Sequence, residues 1–543
     1  MPDADSTAIE TIRKLSAVGI ALSAEKDERR LMELILQSAR ELTNADGGTF
    51  YSRPDDHHLA FEIMHTDSLG LHLGGVSGVP IELPNVPLHD EQGRPNYQTV
   101  AARAALTGET VNIPDAYNAT GFDFAGTRAF DARTGYRSQS FLTVPLRNHE
   151  DDIIGVLQLI NARAGEGGEV TEFSDADEEL VTSLASQAAT VLTKQRLIAG
   201  LRRLFESFIE LIAAAIDDKS PYTGGHCRRV PELTLMLADA AAATDSGPLA
   251  DFRMSEDDRY ELKIAGWLHD CGKITTPEYV VDKATKLETI FDRIHLVDTR
   301  FEVLKRDAEI RALERRLERA ASGVAPDAAA PDEELAAELA ALDDDRDFIR
   351  ACNIGAEFMA PEDQERVRRI AAREWRGPDG SSGDFLSENE VYNLTVRKGT
   401  LTPEEREVIN HHIVATIKML ESLPYPKLLR RVPEFAGGHH ERMDGKGYPR
   451  GLTREQMSVQ ARVMGIADIF EALTAGDRPY KPAMTLSQAL AILGRMKLDN
   501  HVDPDLFDVF VREKVYLRYA EKFLEPKQID EVDESKIPGF ASS

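Results

Sequence analysis

The spacing of apolar and polar residues changes twice along the 543-residue chain. In the first part, helical and strand-like spacings alternate. The stretch LMELILQSARELTNADGG has apolar positions at helical spacing and ends in Asp-Gly-Gly, which predicts a helix that stops there. The runs SFLTVPLR and DIIGVLQLINA are rich in β-formers and flank the polar turn NHED, which predicts a hairpin. Residues 1–173 are therefore predicted to form a small α+β domain.

From Ser174 onward the pattern becomes that of one long helix. Ser174 and Asp177 resemble a capping box, and no proline follows before Pro221. Apolar residues recur at Leu180, Leu184, Val191, Ile198, Phe205, Ile209, Ile212 and Ile216. A helix of about forty residues is long for a globular domain. Residues 174–219 are therefore predicted to be a connecting helix that dimerises as a coiled coil, the alternative being a helix buried in the first domain.

Beyond this helix the chain is predicted to be mostly helical, with one intrusion at about residues 290–395. Two densely charged helical runs flank the break SGVAPDAAAPDEE, and a thin apolar stripe predicts that they form an antiparallel hairpin. The stripe consists of Leu304, Ala308, Leu313 and Leu317 before the break, and of Leu335, Leu339 and Leu342 after it. We expect a solvated structural arm here, and a C-terminal helical extension and tail over residues 503–543.

Length and charge narrow the class of protein. The chain is longer than a single core supports, which favours two or three domains. The formal net charge of −29 argues against a nucleic-acid partner and against charge-driven binding to membranes. The three cysteines have no C-x-x-C spacing, so neither a disulfide framework nor a thiolate zinc site is indicated. No apolar run approaches the roughly 18 residues of a membrane span, and the N-terminus lacks a signal-peptide pattern, so we expect a cytoplasmic protein.

Histidines and aspartates after residue 225 stand in several short motifs. They occur in TGGHC, WLHDCGKI, TPEEREVINHH, GGHHERMDGKGYP and GIADIFEALTAGDRPYK. A lone histidine is more often a core or surface residue than a ligand. Imidazoles and carboxylates without thiolates, however, suit iron, manganese or zinc. Two such ions about 3.5–4 Å apart clamp a phosphoryl group and generate hydroxide at neutral pH, and they would give this acidic chain a local positive charge.

In order along the chain, HD, GK, HHER-x-DG-x-GYP and AD-x-F-x-ALT…RPYK closely resemble the motifs of the HD-GYP family. This is a bacterial branch of the HD phosphohydrolase superfamily that hydrolyses cyclic di-GMP. The resemblance implies an all-α HD-GYP domain over residues 220–502, interrupted by the insertion at 290–395. It also implies two divalent metal ions, with iron or manganese favoured over zinc. The matching metal ligands are His226, His269, Asp270, His412, His439, His440 and Asp468.

The same resemblance assigns roles around these ligands. Asp270 would bridge the two ions, and Lys273 would contact the substrate phosphate. His412 rather than His411 is the ligand, because the family pattern LT-x-EE-x₆-H ends on the second histidine. Some members hold a third metal with a glutamate four residues before the first histidine, where this chain has Tyr222, so we expect two metals. Further substrate contacts are expected from Gly447, Tyr448, Pro449, Arg478 and Lys481.

The first domain resembles a GAF domain, a small-molecule sensor module. Asn161, Phe173, Asp177 and Glu178 fit the Asn-Lys-x-Phe-x₃-Asp-Glu pattern of GAF domains that bind cyclic nucleotides, but Ala162 replaces the lysine. The two carboxylates also suit the first turn of a helix, where they oppose the macrodipole. A cyclic nucleotide, another small molecule, or a purely dimerising role all stay open for this domain.

The expected fold class is therefore multidomain: an N-terminal α+β GAF-like sensor, a long connecting helix, and a C-terminal all-α HD-GYP domain with a helical-hairpin insertion. The expected function is hydrolysis of cyclic di-GMP to linear pGpG, with GMP as a further product open. A non-catalytic cyclic di-GMP receptor and an HD hydrolase of another cyclic dinucleotide are the alternatives. We expect a homodimer in which a GAF ligand shifts the paired helices and alters access to the metal site.

Overall fold

The computed structural model describes residues 2–165, 168–219, 225–322, 332–355, 358–377, 380–476 and 483–541. The chain divides into two compact units, Met1–Leu204 and Phe205–Ser543, and the division falls inside one long helix. Among the described residues, each helix is too short or too polar to cross a membrane.

The first unit is built on one antiparallel sheet. Its main path has the strand order β3-β2-β1-β7-β6-β5, with β4 beside β2 and β8 beside β7. The strands are Ala45–Ser52 (β1), His58–Thr66 (β2), Leu71–Gly74 (β3), Val86–Pro87 (β4), Val111–Ile113 (β5), Phe141–Arg147 (β6), Ile153–Arg163 (β7) and Val170–Thr171 (β8). The helices that begin in this unit are Pro2–Ala24 (α1), Glu28–Thr43 (α2), Val100–Thr107 (α3), Ala125–Thr134 (α4) and Asp175–Lys219 (α5).

The predicted hairpin is confirmed, because β6 pairs antiparallel with β7. The predicted long helix is confirmed as α5. The predicted end of the α2 helix is wrong: Asn44, in the left-handed region with φ 50°, ends it, and Gly47 and Gly48 belong to β1. Gly48 allows the strand to pack on the helix, since a Cβ there would lie 2.8 Å from Cδ1 of Leu36.

The second unit is mainly helical. Its further helices are His226–Ala242 (α6), Glu256–Leu268 (α7), Glu278–Val281 (α8), Ile294–Ala321 (α9), Glu333–Asn353 (α10), Pro361–Ala371 (α11), Glu388–Leu394 (α12), Pro403–Glu421 (α13), Val432–Gly437 (α14), Val459–Thr474 (α15), Leu486–Leu498 (α16), Pro504–Arg512 (α17) and Val515–Phe523 (α18). A small ribbon joins Glu374–Arg376 (β9) to Ser382–Asp384 (β10). Helices α6, α7, α14, α15 and α16 share one apolar core, and α17 and α18, in the segment expected to be an extension, pack into it.

The inserted helices α9 and α10 pair antiparallel, as predicted, with Lys305 on one helix contacting Asp343 on the other. The predicted contact stripe is partly wrong. Leu313 and Leu317 are 56% and 69% exposed, whereas Ala312 is buried. Position 312 lies between Arg311 and Arg315, which pair with Glu338 and Glu334 on α10.

The insertion has an apolar core of its own, so the expectation of a solvated arm is wrong. Helices α9 to α12 enclose buried residues that include Val297, Ile349 and Ile370. The rings of Phe301 and Phe385 lie 4.5 Å apart. Residues far apart in the sequence therefore build this core.

Candidate metal centre

Asp270 is the central side chain of the predicted site and is 2% exposed. Its Oδ2 lies 3.2 Å from Nε2 of His226 and 3.3 Å from Nε2 of His269. Its Oδ1 lies 3.3 Å from Nε2 of His412 and 4.0 Å from Nε2 of His439. Each carboxylate oxygen thus faces a different set of imidazoles.

All seven predicted ligand residues come together around this carboxylate. Their ligand atoms fall into three overlapping clusters, and within each cluster the atoms lie within 4.8 Å of one another. The clusters are His226 with His269 and Asp468, His412 with His439 and His440, and His269 with Asp270 and His439. Side chains from α6, the end of α7, α13, the residues after α14, and α15 therefore converge on one point.

Three of the histidines are oriented by the same local contact. In each, Nδ1 lies within hydrogen-bonding distance of the backbone carbonyl three residues earlier. Because a carbonyl can only accept, Nδ1 carries the proton and the Nε2 lone pair is left for a cation. The pairs are His269 with Gly266 at 2.6 Å, His412 with Ile409 at 2.5 Å, and His439 with Ala436 at 2.6 Å.

His226 is oriented by a carboxylate instead. Its Nδ1 lies 2.5 Å from Oε2 of Glu471, and Oε1 of Glu471 accepts a hydrogen bond from Nε of Arg229 at 2.6 Å. Burial alone would raise the pKa of Glu471, but His226 and Arg229 lower it to about 2. Glu471 is not among the predicted site residues, although its position three residues after Asp468 on α15 places it on the same helix face.

The buried polar atoms at the centre fit a cation. Nε2 of His439 and Oδ1 of Asp270 are buried and have no hydrogen-bond partner among the described residues. Burial lowers the pKa of His439 to about 4 and lowers the pKa of His440 well below its ordinary value. Both imidazoles are therefore neutral at neutral pH, which is the form that binds metal.

Lys273 adjoins the shared carboxylate. Its ammonium donates a hydrogen bond to Oδ2 of Asp270, and its side chain is 24% exposed. Burial would raise the pKa of Asp270, but the ammonium of Lys273 holds it well below the ordinary value. The site thus contains an ionised carboxylate and a partly accessible cation side by side.

His269 and Lys273 do not lie on one helix. Helix α7 ends at Leu268, and a 3-10 turn over Cys271–Thr275 follows. Gly272 explains the break: its N–H donates to Oγ1 of Thr416 at 2.9 Å, and a Cβ there would lie only 2.0 Å from the carbonyl oxygen of His412. Close packing against α13 therefore sets the path of the chain that carries Lys273.

The glycine-rich loop after His440 is held by Glu441. This buried carboxylate accepts hydrogen bonds from the N–H groups of Arg450 at 2.7 Å and Leu452 at 2.9 Å. Gly447 passes so close to the start of the loop that a Cβ there would lie 2.5 Å from Cα of Glu441. The loop is thus closed by its own residues.

Tyr448 forms the side of this loop nearest the ligands. Its ring stacks on the imidazole of His440, with centroids 4.8 Å apart and an angle of 25° between the planes. The Tyr448–Pro449 peptide bond is cis. Three other predicted positions lie outside the described residues: Tyr222, Arg478 and Lys481.

The four residues predicted for a GAF ligand take part in the structure of the first unit. Asn161 accepts a hydrogen bond from the N–H of Gln139 at 2.7 Å. Phe173 is buried in the core between the sheet and the helices. Asp177 completes the predicted capping box at the start of α5, and Glu178 lies in the same turn. Binding of a cyclic nucleotide by these residues stays a prediction.

Comparison with protein-family models identifies the domains. The GAF domain model matches residues 27–192. Two models described as HD domain match residues 223–344 and 388–506. The structure of the GAF domain from a phosphoenolpyruvate-protein phosphotransferase of Coxiella burnetii is 14% identical and covers 36% of this chain and 98% of its own, with a TM-score of 0.28.

Several bacterial phosphodiesterases are similar to a part of this chain. The chain is 40% identical over 154 residues to the 3′3′-cGAMP-specific phosphodiesterase 3 of Vibrio cholerae, covering 28% of this chain and 30% of that protein. It is 32% identical over 131 residues to the cyclic di-GMP phosphodiesterase of Thermotoga maritima, covering 22% and 35%. The chain therefore matches about a third of the length of these relatives. It carries a GAF domain followed by HD domain segments, and it is related to the phosphodiesterases of the HD-GYP family.

Proposed function

We propose that this protein is a metal-dependent phosphodiesterase that hydrolyses cyclic di-GMP to linear pGpG, and that its GAF domain regulates this activity. The observation that carries the proposal is the position of Asp270, whose two carboxylate oxygens face separate groups of imidazoles. The cyclic dinucleotide phosphodiesterases among its relatives support the substrate class.

The residues fit two divalent ions that share Asp270, and we propose iron or manganese, with zinc as the alternative. When bound, such a pair lowers the pKa of water and neutralises charge on phosphoryl oxygens. One ion would be held by His226, His269, Asp270 and Asp468, and the other by Asp270, His412, His439 and His440.

The chain itself would position the substrate. The Lys273 ammonium, which is paired with Asp270 and partly exposed, would donate to a phosphoryl oxygen and stabilise the charge that develops there. Gly447, Tyr448 and Pro449 would form the wall of the pocket beside His440. Arg478 and Lys481 are proposed as further contacts to substrate phosphate.

The proposed domains are a GAF sensor over 1–173, a connecting helix over 174–219, an HD-GYP domain over 220–502 with its insertion at 290–395, and a C-terminal segment over 503–543. Helix α5 supports a homodimer. It carries a row of apolar side chains that are each more than half exposed and that follow one another at alternating spacings of four and three residues. This is the spacing of a coiled-coil seam. The row consists of Leu197, Leu201, Leu204, Phe208 and Leu211.

The test is turnover by the full chain loaded with Fe²⁺ or Mn²⁺, with the products separated by chromatography. We expect linear pGpG from cyclic di-GMP and no product from the Asp270→Asn variant. The control is His411→Ala, which alters an exposed histidine next to a proposed ligand and should leave turnover unchanged. If Fe²⁺-, Mn²⁺- and Zn²⁺-loaded protein all fail to open cyclic di-GMP, the proposal is wrong.

A second substrate is favoured by the comparisons. Two Vibrio cholerae relatives, 40% and 44% identical over their matched regions, are named as 3′3′-cGAMP-specific phosphodiesterases. Turnover of cyclic di-GMP and 3′3′-cGAMP under identical conditions decides between the two. A non-catalytic receptor would bind the dinucleotide without turnover, and its signalling output would survive the Asp270→Ala substitution wherever binding survives.

A further inference from the structure

The last turn of α5 contacts the backbone on one side of the candidate metal centre. Nζ of Lys219 donates hydrogen bonds to the carbonyl oxygens of Lys273 at 3.2 Å, Ile274 at 2.6 Å and Thr276 at 2.7 Å. An ammonium group has three donors and no acceptor, so these three carbonyls satisfy it. Lys219 therefore holds the 3-10 turn that carries Lys273.

The same turn of α5 also contacts the backbone on the other side. The buried carboxylate of Asp217 accepts hydrogen bonds from the N–H of Gly225 at 3.1 Å and from the N–H of Cys227 at 3.2 Å. These two groups flank His226 at the beginning of α6. The first N–H groups of a helix have no partner within it, and the N-cap residue here, Gly225, has no side chain to accept from them. Asp217 supplies that cap from another helix.

The contacts of Asp217 and Lys219 join two separate backbone segments to the last turn of α5. Asp217 and Lys219 are two positions apart, so their side chains leave the helix in different directions. One reaches the backbone of a proposed metal ligand, and the other reaches the backbone of the proposed phosphate-binding lysine. A shift of this turn would therefore move both segments.

We propose that Asp217 and Lys219 are positioning residues through which α5 fixes His226 and Lys273 in their places in the site. The effect on turnover rests on the proposed function. The positioning itself rests on the hydrogen bonds of Asp217 and Lys219. Misplacement of a catalytic group by about 1 Å costs up to about a hundredfold in rate, so small movements of α5 are sufficient to regulate turnover.

The first experiment compares Lys219→Met, which keeps the aliphatic stem but has no donors, with Lys219→Arg in the full chain. With Mn²⁺ and cyclic di-GMP, we expect kcat to fall about tenfold or more in Lys219→Met and to recover in Lys219→Arg. A merely structural role would lower the melting temperature and leave kcat of the folded protein unchanged. Wild-type kcat in folded Lys219→Met would overturn the role of Lys219.

The second experiment measures Mn²⁺ affinity by calorimetry in Asp217→Asn, with Asp218→Asn as the matched control. The amide presents one acceptor oxygen, so its NH₂ would face one of the two backbone N–H groups. We expect Mn²⁺ affinity to fall about tenfold in Asp217→Asn and to stay at the wild-type value in Asp218→Asn. Unchanged affinity in both variants would overturn the role of Asp217. If wild-type protein turns over no cyclic dinucleotide, the proposed function fails, while this binding comparison still decides whether α5 positions His226.

Discussion

Replacing Glu471 with glutamine tests whether His226 is oriented for a cation by its neighbour. The buried carboxylate accepts from Nδ1 of His226 at 2.5 Å and from Nε of Arg229 at 2.6 Å. Glutamine has nearly the same shape but only one acceptor oxygen. If that oxygen serves Arg229, the amide NH₂ faces Nδ1 of His226. The proton of the imidazole must then move to Nε2, the atom that lies 3.2 Å from Asp270 and 3.3 Å from Asp468.

The size of the effect follows from these contacts. Loss of the hydrogen bond that orients a metal-binding histidine costs about 10–100-fold in metal affinity, equivalent to about 1.4–2.7 kcal/mol. The neutral amide also leaves the charge of Arg229 without its buried carboxylate counter-charge, which lowers the free energy of unfolding by about 3–5 kcal/mol. We therefore expect weaker Mn²⁺ binding at one of two sites in calorimetry, together with a lower melting temperature.

Glu261→Gln separates the two effects. Glu261 is also buried, and it accepts from the backbone N–H and Nε of Arg431 at 2.6 and 3.0 Å. Its substitution removes a comparable buried carboxylate away from the histidines, so we expect a lower melting temperature and wild-type Mn²⁺ affinity. If Glu471→Gln matches Glu261→Gln in both measurements, the reasoning about His226 is refuted.

Three further changes test other parts of the structure. Lys273→Met should lower kcat about hundredfold with unchanged metal content by elemental analysis, and loss of metal in parallel would contradict its assignment to the phosphate. Burial would raise the pKa of Asp503, but Arg462 and a backbone N–H hold this pKa below its ordinary value. The ionised carboxylate of Asp503 therefore stabilises the fold above the unfolded-state pKa, and this stabilisation is lost as pH falls through the lower folded-state pKa. Asp503→Asn should therefore cost about 3–5 kcal/mol in urea unfolding at neutral pH and less in acid, and equal stability at neutral pH would count against the pairing. Phe208→Glu on α5 should give a monomer in sedimentation at micromolar concentration, whereas the neighbouring exposed Arg203→Glu should not, and a dimer in both would exclude the proposed seam.

The grouping of the histidines and aspartates around Asp270 could be predicted, because the order of the motifs and the chemistry of their residues both indicate it. Imidazoles and carboxylates without thiolates indicate a particular class of cation, and the family resemblance selects His412 over His411. The motifs do not reveal the role of Glu471, because that role depends on a contact with a residue 245 positions away. The helical spacing from Asp468 indicates only a shared face. Glutamate in a helix gives the same sequence signal whether its carboxylate meets solvent or a buried imidazole.

The insertion shows a second limit of sequence patterns. The predicted apolar stripe included Leu313 and Leu317, which are exposed, and left out Ala312, which is buried. Hydrophobicity favours leucine, but two helices that pack closely favour a small side chain between them. The contact between Phe301 and Phe385 joins positions on different helices and loops, so no local periodicity can reveal it.

The separation of His269 and His412 by more than a hundred residues is compatible with one compact site because the contacts that orient them are local. Each imidazole is held by a carbonyl three residues earlier in its own segment, so the insertion between them does not enter either contact. The ends of the insertion are also joined directly: Oγ1 of Thr400 donates to the carbonyl of Lys283 at 2.9 Å, and Nζ of Lys283 donates to Glu405 at 2.7 Å. Closing a longer loop costs little additional free energy. Because the chain segments on either side of the insertion are joined to each other, the insertion can have its own core without changing the distances around Asp270.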